Sequence, residues 1–200
     1  MRIIGAIGAN GSGKDEVLKY LKQRYGVPFL STGEIVREIA ARDGVEPTRE
    51  NLGAISEQCF AERGPGCFVA MAAERIHVER WLVAGISGIR SADDVRLLKR
   101  THGDRFVLIH VMVRDPHVRF ERMMQRAEAR DPKDLEHFQA LDTQEEKQFR
   151  ISEAASYADH TVANDGTLED LHRSIDHLVS NAGLLSSESD PSPELIGDPT

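Results

Sequence analysis

Cysteines, long apolar runs and targeting segments are scarce in this chain of 200 residues, and each scarcity excludes a class of protein. The only two cysteines, Cys59 and Cys67, lack the close pairs of a zinc site, so we expect neither a disulfide framework nor a structural metal. No apolar run approaches the about 20 residues that a transmembrane helix needs. Ile3 to Ile7 leads straight into glycines, unlike a signal peptide. These absences predict a cytoplasmic protein without membrane partners.

Basic charge is also in deficit, because 25 Lys and Arg residues face 33 Asp and Glu residues and leave a net charge of -8. This balance argues against general nucleic-acid binding, which needs a basic surface. Half of the excess lies in residues 186–200, which hold four acids and no base. A stretch of Ser, Pro and acids has too little apolar surface to fold. We therefore predict one domain over residues 1–182 and a disordered acidic tail over residues 183–200.

Short apolar segments alternate with helical patterns along the chain, and this order predicts the fold class. Because neighbouring parallel strands need crossover connections, the alternation predicts an α/β protein with a parallel sheet and helices on both faces. Such a three-layer fold gathers its ligands at the carboxyl ends of the strands. A long charged helix is predicted from Leu135 to Ile151. The predicted strands are Arg2 to Gly8, Val27 to Leu30, Trp81 to Ile86, Phe106 to Val113 and Thr161 to Ala163.

The sequence GANGSGKD at residues 8–15 matches the P-loop pattern G-x-x-x-x-G-K and departs only at its last position. In such a loop the backbone N–H groups and the following helix N-terminus bind phosphate oxygens, and the lysine reaches the β- and γ-phosphates. The alternative is an ordinary Gly-rich turn, but the strand before and the helix after favour ATP binding. Lys14 is also predicted to be catalytic. The predicted ATP-binding residues here are Gly8, Asn10, Gly11, Ser12, Gly13, Lys14 and Asp15.

Asp15 stands where a P-loop normally has the Ser or Thr hydroxyl that binds Mg²⁺. A carboxylate is also a hard oxygen ligand, so Asp15 could serve the same ion. Alternatively, Asp15 only complements the dipole in the first turn of a helix. The sequence leaves both interpretations open.

Two segments resemble the acceptor site of adenylate kinases. STGEIVR at residues 31–37 is similar to their S-T-G-D-x-x-R segment, and Ser31 to Glu34 also has capping-box spacing. WLVAGISGIR at residues 81–90 resembles the strand that ends D-G-F-P-R there. The resemblance implies that Thr32, Arg37 and Arg90 bind the acceptor, since two guanidinium groups suit one phosphate. Isolated arginines would more often be surface residues.

A possible lid follows, because Arg119, Arg122, Arg126 and Arg130 recur close to helical spacing before Asp131 and Pro132. A kinase lid over about residues 122–135 would bring positive charge to the transferred phosphoryl group. We assign catalytic roles to Arg126 and Arg130 because they adjoin the break. The alternative is a solvated helix face whose arginines pair with Glu121 and Glu128.

Residues 164–167, with the sequence NDGT, resemble the N-x-G-[ST] turn that lies close to the adenine of ATP in dephospho-coenzyme A kinases. That resemblance implies that Asn164 and Gly166 bind ATP. A simple turn with Thr167 as the helix cap explains the same letters and is the preferred interpretation.

The segments GANGSGKD, PTRENLGAI, GIRSADDV and ADHTVANDGTLEDL together resemble a prokaryotic P-loop family related to dephospho-coenzyme A kinase and adenylate kinase. The resemblance covers Met1 to about Val179 and implies ATP and Mg²⁺ as cofactors. It also implies an acceptor-binding insertion over residues 34–80. Ser87 departs from the relatives, which carry an acid there, so we predict that Asp15 and Ser87 have exchanged roles around one Mg²⁺.

These observations predict an ATP-dependent phosphotransferase, of the nucleoside-monophosphate-kinase type, that acts on a small phosphorylated acceptor. A nucleoside or deoxynucleoside monophosphate is the first candidate, because the G-K-D ending is similar to phage-type deoxynucleoside-monophosphate kinases. The chain would act as a monomer or a homodimer. One alternative is an ATP-binding switch or ATPase that controls a partner protein through the charged helix from Leu135 to Ile151. A non-catalytic binding module is the other.

Overall fold

Five short strands form one parallel sheet in the computed structural model, which describes residues 1–126 and 131–185. Their order across the sheet is β2-β3-β1-β4-β5. Ile3, Ile4 and Ile7 of the central strand are almost fully buried, as expected where helices cover both faces of a parallel sheet. The strands are β1 (Arg2–Ile7), β2 (Phe29–Ser31), β3 (Val83–Ser87), β4 (Phe106–Met112) and β5 (His160–Ala163).

Helices cover the two faces of this sheet in separate layers. One layer holds α1 (Lys14–Tyr25) and α9 (Leu168–Asn181). The predicted three-layer fold is therefore confirmed. No helix in the described ranges is both long enough and apolar enough to cross a membrane. The remaining helices are α2 (Thr32–Arg42), α3 (Arg49–Arg63), α4 (Cys67–Val78), α5 (Ala92–His102), α6 (Pro116–Arg126), α7 (Leu135–Phe149) and α8 (Ile151–Ala155), with a 3-10 turn at Gly103–Arg105. Of these, α2 to α5 and α8 pack on the face opposite α1.

The single helix predicted from Leu135 to Ile151 was wrong at its C-terminal end. Arg150 adopts the left-handed conformation, with φ 50° and ψ 53°, and divides the segment into α7 and α8. The Glu146 carboxylate then accepts a hydrogen bond from the Ser152 N–H at 3.1 Å. The break turns α8 toward the sheet, where Ala154 is completely buried.

Side-chain hydrogen bonds cap some of the helix starts and not others. Ser91 and Asp94 form the reciprocal capping box of α5, and Thr167 caps α9 as predicted. The capping box suggested by Ser31 and Glu34 does not form, because the Ser31 side chain accepts no hydrogen bond from α2.

The packed part of the chain extends beyond residue 182. Leu184 is only 1% exposed and packs in the same core as α1 and α9. The Arg2 guanidinium donates a hydrogen bond to the Gly183 carbonyl at 2.7 Å. The rest of the predicted tail, residues 186–200, lies outside the described residues.

Two buried thiols, one in α3 and one at the start of α4, are in contact. The Sγ atoms of Cys59 and Cys67 are 2.7 Å apart, and both residues are buried. Burial, and then the contact with Cys59, raises the pKa of Cys67 to about 12. Because the thiolate is the reactive form, Cys67 is protected at neutral pH both by its surroundings and by its protonation.

We therefore expect a thiol-reactive dye to modify neither cysteine rapidly in the folded protein and to modify both in denaturant. The rate of colour development with and without guanidinium chloride measures this. Rapid modification of the folded protein at pH 7 would show that the contact between α3 and α4 opens readily.

Candidate nucleotide and acceptor site

The loop between β1 and α1 has the backbone shape of a phosphate cradle. Gly11 and Gly13 adopt φ angles of +77° and +89°, which residues with a side chain rarely tolerate. The Ser12 N–H donates to the Ala9 carbonyl at 3.1 Å and tightens the turn. The loop ends at the N-terminus of the 12-residue α1, whose dipole favours an anion. These features fit the phosphates of a nucleotide.

Asn164, which is distant in sequence, forms a hydrogen bond with this loop. It follows β5, is 6% exposed, and donates from its side-chain amide to the Ser12 carbonyl at 2.8 Å. A Cβ atom at Gly13 would lie 2.5 Å from the same amide, so the two segments are in direct contact. The structure thus gives Asn164 a supporting role, and its predicted contact with ATP stays a prediction.

Two further predicted ATP-binding residues, Ser12 and Gly166, lie in the loop itself and in the turn after β5. The Ser12 hydroxyl is enclosed next to the Gly8 backbone and has no hydrogen-bond partner within the described part of the chain. The Gly166 carbonyl accepts a hydrogen bond at 2.9 Å from Arg122 of α6. Arg122 therefore joins α6 to the turn that the sequence placed near the adenine.

Lys14 and Arg90 line one small cavity, of about 20 Å³, at the carboxyl ends of β1 and β3. Both were predicted to bind phosphates, Lys14 those of ATP and Arg90 that of the acceptor. The guanidinium carbon of Arg90 lies 5.6 Å from the centre of the Phe149 ring of α7. Gly8, Asn10 and Glu145 also line this cavity. The structure thus places one residue of the predicted ATP site and one of the predicted acceptor site on the wall of the same cavity.

Thr32 joins the two predicted acceptor segments. Its hydroxyl donates to the Gly88 carbonyl at 3.2 Å, which holds the start of α2 against the loop that carries Arg90. Arg37 lies one turn further along α2, and its exposed guanidinium points back toward Gly33. The structure therefore places Thr32 and Arg90 on joined turns, with Arg37 beside them and outside the cavity that Lys14 lines.

The two predicted metal ligands lie on different elements. Asp15 is exposed in the first turn of α1, whereas Ser87 is 9% exposed at the end of β3 and pairs in register with Ser31. One carboxylate and one hydroxyl match the oxygen ligands that Mg²⁺ prefers. Within residues 1–126 and 131–185, no three His, Cys, Asp or Glu side chains gather as a metal site. The shared role of Asp15 and Ser87 therefore stays a prediction.

Of the two predicted lid arginines, Arg126 ends α6 and forms an ion pair with the buried carboxylate of Asp131. This pair joins the two sides of the break that the sequence predicted. Arg130 lies outside the described residues. The catalytic roles of Arg126 and Arg130 stay predictions.

Arg119 is the α6 arginine that reaches the loop. It is 6% exposed, donates to the Asn10 carbonyl at 3.2 Å, and forms a two-point ion pair with Asp142 of α7 at 2.6 and 2.7 Å. Its guanidinium also lies over the Phe138 ring, 5.1 Å from the centre. Arg119 thus connects the loop to α7 through one buried cation.

A second cavity, of about 530 Å³, lies between the loop, the end of β4 and α7 and α8. Burial lowers the pKa of His110 on its wall, so this imidazole is neutral at pH 7. The polar wall and the adjoining loop make this cavity part of the candidate site. Its lining residues are Ala9, His110, Arg119, Asp142, Glu146, Ile151, Ser152, Ala155 and Ser156.

Comparison with known proteins identifies the family. A UPF0200 protein of Thermococcus onnurineus (strain NA1) is 34% identical to this chain over 88% of the chain and 96% of the relative. The chain belongs to the UPF0200 family. Residues 7–139 also match the family model described as an AAA domain. The predicted relationship to P-loop kinases is confirmed at the level of the domain.

Solved structures show that the fold is that of P-loop kinases. Shikimate kinase from Bacteroides thetaiotaomicron superposes with a TM-score of 0.55 at 18% identity, covering 92% of this chain and 99% of that one. A gluconokinase from Sinorhizobium meliloti 1021 gives a TM-score of 0.52 at 16% identity, covering 92% and 97%. The shared feature is the architecture.

The sequence predicted catalytic roles for Arg126 and Arg130, beside the break, and none for Arg119. A usable signal existed, because Arg119 and Met123 are four residues apart and therefore share a helix face. They are the two buried residues of α6. A charged residue on the apolar face of a helix predicts a buried ion pair, and this criterion would have selected Arg119.

Proposed function

We propose that this chain transfers a phosphoryl group from ATP to a small phosphorylated acceptor. The observation that supports the proposal is the cavity that Lys14 shares with Arg90, because the P-loop lysine and the arginine predicted to bind the acceptor phosphate line the same space. Phosphoryl transfer needs this kind of arrangement, since its catalysis consists largely of positioning and electrostatic stabilisation.

The residues around the loop would divide this work. The backbone of residues 8–13 and Lys14 would hold the β- and γ-phosphates of ATP, and bound Mg²⁺ would neutralise part of their charge. Arg119 contacts the loop at Asn10, and its ion pair with Asp142 would hold the loop in place. Arg126 and Arg130 would bring further charge when the lid covers the phosphates.

Thr32, Arg37 and Arg90 would bind the phosphate of the acceptor. Arg37→Ala and Arg90→Ala are each expected to raise the acceptor KM at least about tenfold, since each removes a charged hydrogen-bond donor, while ATP affinity stays within about twofold. Steady-state kinetics and calorimetry separate the two quantities. Arg42→Ala, at the exposed end of α2, is the matched control and should change neither. Equal loss of ATP affinity in the arginine variants would move them to the donor site.

Asp15 and Ser87 would serve one Mg²⁺, directly or through its water ligands. Asp15→Ser should shift the Mg²⁺ dependence of ADP release to higher concentration, and Ser87→Asp in the same chain should recover much of the loss. A shared ion predicts a coupling energy of about 0.5–3 kcal/mol between the two positions. Strictly additive effects would leave Asp15 as a residue that only complements the dipole of α1.

Coupled measurement of ADP release tests the function itself. The panel contains nucleoside and deoxynucleoside monophosphates, dephospho-coenzyme A and a sample without acceptor. Release that depends on one acceptor supports the phosphotransferase. Equal release in every sample contradicts it.

A second candidate, an ATP-binding switch or ATPase, is favoured by one observation. The ion pair of the buried Arg119 with the partly exposed Asp142 connects the loop to α7, whose outer surface is exposed and charged. A change at the phosphates would reach α7 through this contact. Acceptor-independent ADP release would favour this candidate.

A further inference from the structure

Three acids of α7 lie near the loop, and two of them have partners. Asp142 pairs with Arg119, and Glu146 accepts the Ser152 N–H. Glu145 is half-buried, lines the cavity of Lys14 and Arg90, and has no hydrogen-bond or ion-pair partner among the residues that the structure describes. The Glu145 carboxylate therefore lines the cavity and takes part in no hydrogen bond or ion pair of the described fold.

The charge of Glu145 bears on what reacts there. If the nucleophile were a phosphate oxygen of the acceptor, it would already be anionic, would need no base, and would be repelled by a nearby carboxylate. A hydroxyl nucleophile is neutral and must lose a proton as its oxygen bonds to phosphorus. A carboxylate within reach of that hydroxyl can accept the proton.

We infer that Glu145 is the general base for an acceptor whose nucleophile is a hydroxyl group, so that the product is a phosphate ester and not a phosphoanhydride. This inference rests on the proposed function and specifies its acceptor. Arg90 would bind the phosphate that the acceptor already carries, and Glu145 would face its hydroxyl group. Such an acceptor is a phosphorylated alcohol, a class that includes nucleotides with a free sugar hydroxyl.

The transfer step balances without any further reactant. The acceptor oxygen forms a bond to the γ-phosphorus while the bond from that phosphorus to the bridging oxygen breaks, and ADP leaves with the electron pair. The hydroxyl proton passes to the Glu145 carboxylate and then to water. Lys14 is positioned to offset the negative charge on the transferred group.

The test combines product identity with a matched pair of variants. Phosphorus NMR of the product distinguishes a new phosphate monoester, which lacks phosphorus–phosphorus coupling, from an anhydride, which shows it. Glu145→Gln keeps the shape of the side chain and should lower kcat by about 10²–10⁴, the range for a lost general base. Calorimetric ATP affinity and the melting temperature should not change. Glu136→Gln, on the exposed first turn of α7, is the control and should retain kcat.

The other possible results of these measurements also decide whether Glu145 is the general base. ADP release with an anhydride product, or a Glu145→Gln variant that retains kcat, overturns the inference and leaves the phosphotransferase in place. Recovery of kcat by added Mg²⁺ makes Glu145 a metal ligand and also overturns it. If Glu145→Gln melts at a lower temperature, Glu145→Asp is measured; partial recovery of kcat supports the base, and no recovery at the same melting temperature overturns it. Absence of ADP release with every acceptor removes the proposed function and this inference together.

Discussion

Lys14→Ala is expected to abolish turnover and to weaken ATP binding strongly. The side chain begins α1 and lines the cavity beside Gly8 and Arg90, and the P-loop pattern predicts that its ammonium group reaches the terminal phosphates of ATP. Loss of one group that stabilises developing charge lowers kcat by about 10²–10³, and loss of the binding contact lowers kcat/KM further. Calorimetry with ATP and coupled ADP release measure the two effects.

Lys19→Ala provides the matched control for this experiment. Lys19 lies on the exposed side of the same helix, so its removal changes the net charge equally without touching the loop. Its ATP affinity should equal that of the unmodified protein. Unchanged ATP affinity in Lys14→Ala would refute the P-loop assignment.

Asp142→Ala should cause the largest loss of stability. The Arg119 side chain is 7% exposed and that of Asp142 32% exposed, so removal of the carboxylate leaves a buried guanidinium without its partner. Breaking a buried pair typically costs about 3–5 kcal/mol, and the partial exposure of Asp142 places the expected loss at about 3 kcal/mol. For a domain of this size the melting temperature should fall by roughly 6–12 °C.

Two further variants make this result interpretable. Asp43→Ala breaks an exposed ion pair with Arg42 and should leave the melting temperature nearly unchanged. The double replacement Arg119→Met and Asp142→Leu removes both charges and should recover most of the lost stability, because apolar residues can replace a buried pair. A melting temperature of Asp142→Ala within about 2 °C of the unmodified protein would show that Arg119 finds another partner or water.

The sequence predicted those parts of the fold that depend on local patterns. The buried residues of β1, the glycines of the loop and the cap at Ser91 each follow from neighbours within a few positions. The boundary at Arg150 could not be predicted in this way, because no Gly or Pro marks it and the following residues remain helical. Leu184 was likewise placed in the tail, because most residues of the core that it joins are distant in sequence.

In the candidate site, too, the sequence predicted residues within local motifs but not the contacts between distant segments. Lys14 and Arg90 were selected by motif, and the structure places them in one cavity. The contacts of Arg119 with Asn10, and of Asn164 with Ser12, join residues 109 and 152 positions apart. Spacing within a motif carries no information on such contacts. The same reason explains why Glu145, which stands in no motif, was not singled out.

The hydrogen bond from Asn164 to the loop joins two segments that are synthesised at different times. During synthesis the motif at residues 8–15 leaves the ribosome among the first segments, whereas Asn164 follows β5, more than 150 positions later than Ser12. The match to the AAA domain model ends at residue 139, so Asn164 lies outside the part of the chain that the model covers. A nascent chain that stops short of β5 would carry the motif without its hydrogen bond to Asn164. The hydrogen bond that links the loop to Asn164 can therefore form only after nearly the whole domain has been synthesised.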